Sequence, residues 1–74
     1  MEYVFISPQI VSGLYFCQYT GEGFRLSNRL EDALVSTDSE NAQKEAERLE
    51  KQSGFLVQPR RVLRNDAVAS FTVL

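Results

Sequence analysis

Residues 36–54, STDSENAQKEAERLEKQSG, constrain the fold more than any other stretch of this chain. Their spacing predicts a single amphipathic helix over about 37–53. Thr37 followed three residues later by Glu40 has the spacing of a capping box, in which a hydroxyl accepts from an orphan amide and a carboxylate reaches back. Asp38 and Glu40 place negative charge at the positive end of the helix dipole. Ala42, Ala46 and Leu49 fall at i, i+4 and i+7 and form one narrow apolar stripe. Glu40–Lys44 and Glu47–Lys51 are i,i+4 pairs in the favourable order, worth about 0.3 kcal/mol each. Gly54 suits a left-handed stop. A stripe of two alanines and one leucine cannot hold a helix of this length together in water. It must lie close against a sheet.

The flanking segments read as short strands and turns. Tyr3–Ser7 is an aromatic and β-branched run with apolar residues at both parities, so both of its faces can be covered. Leu14–Tyr19 and Phe24–Ser27 flank Thr20-Gly21-Glu22-Gly23, whose two glycines suit a hairpin turn. Asn28 with Glu31 repeats the capping spacing, and Leu30, Ala33 and Leu34 suggest one helical turn tucked under the sheet edge. Residues 55–63 are strand-like, but Pro59 lacks an amide donor, which places it on an edge or at a bulge. Asn65-Asp66 suits a tight turn. Beyond it Ala67, Ala69, Phe71 and Val73 alternate with Ser70 and Thr72, the first set inward and the second in water. The expected architecture is one α+β domain over residues 1–74. It comprises a single antiparallel sheet of four to five short strands with the main helix on one face, in the order β-β-β-α-β-β.

Composition narrows the chemistry. With 74 residues and 43% apolar content, including five Phe and three Tyr, the chain has enough for one core and too little for a deep cleft between layers. It has no His and one Cys, so it lacks the ligands of an imidazole or thiolate zinc site, and no cofactor or metal is expected. Cys17 has no imidazole base and reads as a buried core thiol. A lone Cys, no long apolar run and no basic-then-apolar opening lead to the expectation of a cytoplasmic protein with no membrane partner. Gly21-Glu22-Gly23 leads into a strand and carries an acid, so it reads as a turn, not a phosphate loop. No set of residues spells out a catalytic centre, and the expectation is a non-enzyme.

Binding roles remain. The layout Gly23-Phe24-Arg25-Leu26, then Leu30-Glu31-Asp32-Ala33-Leu34-Val35, then Thr37-Asp38-Ser39-Glu40-Asn41-Ala42 and the helix to Gly54 resembles small orphan proteins of phages and prophages. That group includes inhibitors of the anti-CRISPR, anti-defence type. The resemblance covers about residues 14–58. It implies a protein that binds a bacterial host protein and blocks its nucleic-acid or partner site, in the host cytoplasm. From the residues themselves, the helix acids Glu40, Glu45, Glu47 and Glu50 and the turn acid Glu22 are the candidate partner-binding groups, standing in for phosphates. The alternative is a nucleic-acid binder or regulator using Arg60, Arg61 and Arg64, although Arg60 and Arg61 would face opposite sides of a strand. A third possibility is a homodimer formed by edge-strand pairing. The net charge of -2 is too mild to decide among them.

Overall fold

The computed structural model describes residues 2–17, 24–65 and 70–74, the side chains at 64, 65 and 70–72 lying outside that description. The order of elements is β1 (Glu2–Ile6), β2 (Tyr15–Phe16), β3 (Leu26–Ser27), a one-turn 3-10 helix (Leu30–Asp32), α1 (Ser39–Ser53), β4 (Gln58–Asn65) and β5 (Ser70–Val73). This is a small α+β fold with one main helix.

The helix begins one residue later than the capping-box spacing implies. Asp38, not Thr37, is the N-cap; its Oδ2 accepts from the amide of Asn41 at 3.1 Å. Both residues offer an acceptor, but the carboxylate also carries charge against the helix dipole. At the other end Gly54 has φ 78°, and its amide donates to Glu50 O at 2.9 Å. That positive φ is what glycine adopts without a Cβ penalty. Ala42, Ala46 and Leu49 are all buried, as their spacing requires. They share one core with Phe5, Phe16 and Val57, and Tyr3, Ile10, Leu26 and Leu34 pack at its margin. Neither i,i+4 pair forms: among the described residues the ion pairs are Arg29–Glu31, Arg29–Asp32 and Arg48–Glu45.

The strands divide between two small antiparallel sheets instead of forming one. In the first the order is β1-β4-β5; in the second β2 pairs with β3, Tyr15 opposite Ser27 and Phe16 opposite Leu26. The stretch from Ala33 to Ser36 ties the two together. Leu34 donates to Phe16 O at 2.9 Å, while Ser36 and Tyr3 exchange two bonds, of 2.8 and 3.0 Å. Bridges at Cys17–Ala33 and Tyr3–Ser36 mark the two ends of this link. Its contacts are isolated bridges and not a continuous ladder, so each sheet keeps its own pairing.

Val4 and Phe5, adjacent in β1, are both buried, so this strand is covered on both faces. Phe5 faces the helix, and Val4 shares the opposite face with Val62, which is also buried. Pro59 pairs with Phe5 in β4, the middle strand by order, and not at a bulge; its own amide side lies on a local edge, as its missing donor implies. The reason is a stagger. β1 pairs with residues 58–62 of β4, whereas β5 pairs with 62–65. Leu74 donates to Arg61 O, so odd positions of β4 aim their backbone groups toward the β5 side. At Pro59 that side has no strand among the described residues, and the missing donor breaks no ladder bond.

The 3-10 turn follows Arg29, whose side chain makes no capping bond, so the Asn28–Glu31 capping expectation does not hold. Instead Ser27 Oγ accepts from the Arg29 amide at 3.0 Å. The expected turns at 20–23 and at Asp66, and the inward set Ala67 and Ala69, lie outside the described residues. Val73 is half-buried and sits in register with Val62.

The cap assignment has a direct test in urea unfolding. Asp38→Ala is expected to lower stability by about 1 kcal/mol, and Thr37→Ala by less than about 0.5 kcal/mol. Equal losses at the two positions would contradict it.

Candidate partner-binding surface

The helix buries one stripe and presents the remainder of its circumference outward. The five candidate acids fare differently there. Glu40 and Glu47 are exposed and seven residues apart, so they lie on one face about 10 Å apart along the axis. Lys44 and Lys51 are exposed on that same face, which alternates in sign and carries no net charge. Glu45 is half-buried and paired with Arg48, whose guanidinium also donates to Gln52 Oε1 at 3.1 Å.

Glu50 has a structural duty. Its Oε1 accepts from the Val57 amide at 3.0 Å. It belongs to a set of side chains that satisfy the backbone of the exit turn. Ser53 Oγ donates to Leu49 O at 2.7 Å and accepts from the Phe55 amide at 3.1 Å, and Gln9 Oε1 accepts from the Leu56 amide at 2.7 Å. Three consecutive amides, at 55, 56 and 57, thus find side-chain acceptors where the chain leaves the helix. The sequence signal for Glu50 was its position one turn before the glycine stop, where a carboxylate can reach forward. Glu22 lies outside the described residues.

Arg60 and Arg61 do not gather. Arg60 and Arg61 are both exposed, but Arg60 pairs in register with Val4 and Arg61 with Tyr3, so they project from opposite faces of β4. Arg60 donates to Gln58 Oε1 at 2.6 Å on its own face. Arg64 pairs in register with Phe71, and its side chain lies outside the description. Arg29 is committed to the 3-10 turn: it bonds Glu31 Oε1 at 3.0 Å and lies 3.8 Å from Asp32 Oδ2. Its pKa is raised, chiefly by the Glu31 hydrogen bond. The Glu31 carboxyl is held below its ordinary value, first by a bond from its own backbone amide and then by Arg29.

Two other surface features were not singled out from the sequence. Phe16, Phe24 and Phe55 form an aromatic step from core to surface. Phe16 and Phe24 lie 6.0 Å apart and tilted, and Phe24 and Phe55 lie 5.7 Å apart edge-on. Phe24 is 36% exposed, and Leu56, next to Phe55, is 49% exposed. A polar hollow of about 310 Å³ is lined by Cys17, Arg25, Leu26, Ser27 and Asp32. Cys17 is buried, and its thiol donates weakly to Tyr15 O at 3.8 Å. Among the described residues no group of three His, Cys, Asp or Glu side chains is placed to hold a metal ion, and no helix is long and apolar enough to cross a membrane.

Substitution separates the structural acid from the free ones. Glu50→Ala is expected to cost about 1–2 kcal/mol in unfolding experiments, because it orphans the Val57 amide, whereas Glu50→Gln keeps an acceptor and most of the stability. Glu47→Ala is expected to change stability by less than about 0.5 kcal/mol. Equal behaviour of Glu47 and Glu50 would refute the division. Comparison of the chain with protein-family models, curated proteins and solved structures finds no match.

Proposed function

We propose that this chain is a non-enzymatic protein-binding module whose contact surface is the outer face of α1. The observation that carries the proposal is the open charge on that face. Glu40, Lys44, Glu47 and Lys51 stand exposed at spacings that allow two internal ion pairs, and neither pair closes within 4 Å. A capped, sheet-backed helix holds these charges in fixed register. Such a display suits a partner surface of alternating complementary charge, where electrostatics sets register and encounter rate more than affinity.

The most specific form of this proposal is a phage-encoded inhibitor of a bacterial defence protein. The resemblance of residues 14–58 to the layout of such small proteins supports it. The module would occupy the defence protein's nucleic-acid or partner site. Within it, phosphate mimicry falls to Glu40 and Glu47. Glu45 is engaged by Arg48 and Glu50 by the exit turn, and the interleaved lysines favour a mixed-charge protein surface over a purely basic groove. The nucleic-acid alternative is weakened, because β4 divides Arg61 from Arg60 and the three arginines cannot share one face.

The experiment is capture from bacterial lysate by the tagged chain, with nuclease treatment and mass spectrometry. A stoichiometric protein that survives nuclease, and that is lost when Glu40→Lys and Glu47→Lys are combined, is the expected result. The double variant should retain the wild-type circular dichroism, since both side chains are exposed. Undiminished capture by it would remove this face from the account. Capture that vanishes with nuclease would replace the proposal with nucleic-acid binding.

A further inference from the structure

We propose that the outer face of α1 is its own complement, and that a second copy of this chain docks there helix to helix, antiparallel about a twofold axis. The inference rests on the reading of that face as a contact surface and names one molecule that fits it. Glu40, Lys44, Glu47 and Lys51 are all exposed. At 3.6 residues per turn their midline lies roughly 160° round the helix from that of the buried Ala42, Ala46 and Leu49, so the stripe points away from the core. None of the four side chains forms an ion pair among the described residues.

The order of the charges selects the occupant. Along the axis the signs run negative, positive, negative, positive. The positions are symmetric as well: Glu40 and Lys51 are centred between Glu45 and Ala46, and so are Lys44 and Glu47. Turning the stripe end over end about that point therefore returns the same four positions with every sign reversed. A second copy laid antiparallel sets Glu40 against Lys51 of the other helix and Lys44 against its Glu47, and each pair occurs twice. The outer pairs lie about 16 Å apart along the axis and the inner pairs about 4.5 Å. A parallel copy would set like charges opposite, so the pattern also fixes the direction. A foreign helix would need the same spacing and the same order of signs, and a second copy carries both.

The framework suits such a pairing. Asp38 caps one end of α1 and Gly54 stops the other, so the four positions keep their spacing. The face carries no net charge and the chain only -2, so two copies meet little repulsion. The face is polar throughout, and Gln43 and Arg48, exposed at its flanks, continue that character. Exposed ion pairs are individually weak and are screened by salt. Association should therefore be weak, with Kd on the order of 1 mM at low ionic strength and at least about fivefold weaker at about 0.5 M salt. Self-association and capture of a host protein would use one face and so exclude each other.

Translational diffusion measured by NMR on the untagged chain, from about 50 μM to about 2 mM at about 20 mM and about 0.5 M salt, reads this directly. Two double variants keep the net charge and break the antisymmetry. Glu40→Lys with Lys44→Glu, and separately Glu47→Lys with Lys51→Glu, each set like charges opposite in a self-pair. Mixed with one another, the two variants restore opposite charges at every pair. Wild type is expected to diffuse more slowly as concentration rises at low salt, and each variant alone to stay monomeric. The equal mixture should associate within about threefold of wild type. Unchanged circular dichroism verifies the fold, since all four side chains are exposed. A wild-type chain that stays monomeric at low salt overturns the proposal, as does association that either variant retains alone or that the mixture fails to restore. Monomeric wild type together with capture of a host protein that depends on Glu40 and Glu47 overturns this inference and leaves the contact face in place.

Discussion

The structure depends on how closely α1 can approach the strands beneath it. Ala42 and Ala46 carry no side chain beyond Cβ, so the helix backbone comes down onto Phe5 and Phe16, which are fully buried. These two rings come from different sheets, β1 and β2, and share one core with the helix stripe. Leu49 adds the one large side chain of the stripe. Enlarging either alanine would overpack this core, and overpacking of that kind typically costs about 1–3 kcal/mol. In a core built from so few residues, that is a large share of the total stability.

Because the inward stripe is so narrow, most of the helix circumference remains outside. The exit turn takes Glu50 and Ser53, and Arg48 takes Glu45. What is left is a fixed, alternating display at Glu40, Lys44, Glu47 and Lys51. The same economy explains the surface aromatics. Phe16 fills the space available in the core, and Phe24 and Phe55 continue the contact outward to the surface.

Features decided within a few residues were legible in the sequence. The helix, its buried stripe and its Gly54 stop follow from spacing, and so does the β2–β3 pairing. The cap was misplaced by one residue because Thr37 and Asp38 both offer an acceptor, and local pattern does not rank them. Features set by pairing between distant segments were not legible. The link between the two sheets rests on two bonds between Tyr3 and Ser36 and one from Leu34 to Phe16, and residues 33–36 show no strand periodicity that would announce it. Pro59 reads as an edge residue and its amide side is a local edge; that this edge belongs to a middle strand, which β5 joins only further along, was not legible. The opposite facing of Arg60 and Arg61 was legible, since it requires nothing beyond alternation. Glu50 stands one turn before the glycine stop, but only the path of the exit turn shows that it meets the Val57 amide.

The central claim is that the outer face of α1 is a contact surface and not merely a solvated one. Amide hydrogen exchange on the chain, with and without its captured partner, tests this most directly. Helical amides are already slow, so the informative sites are those with the lowest protection, at the start of α1 and in its final turn. The account predicts added protection in the segment holding Glu40 and Lys44 and in that holding Glu47 and Lys51. Protection confined to Phe24, Phe55 and Leu56, with α1 unchanged, would contradict it and move the contact to the aromatic step.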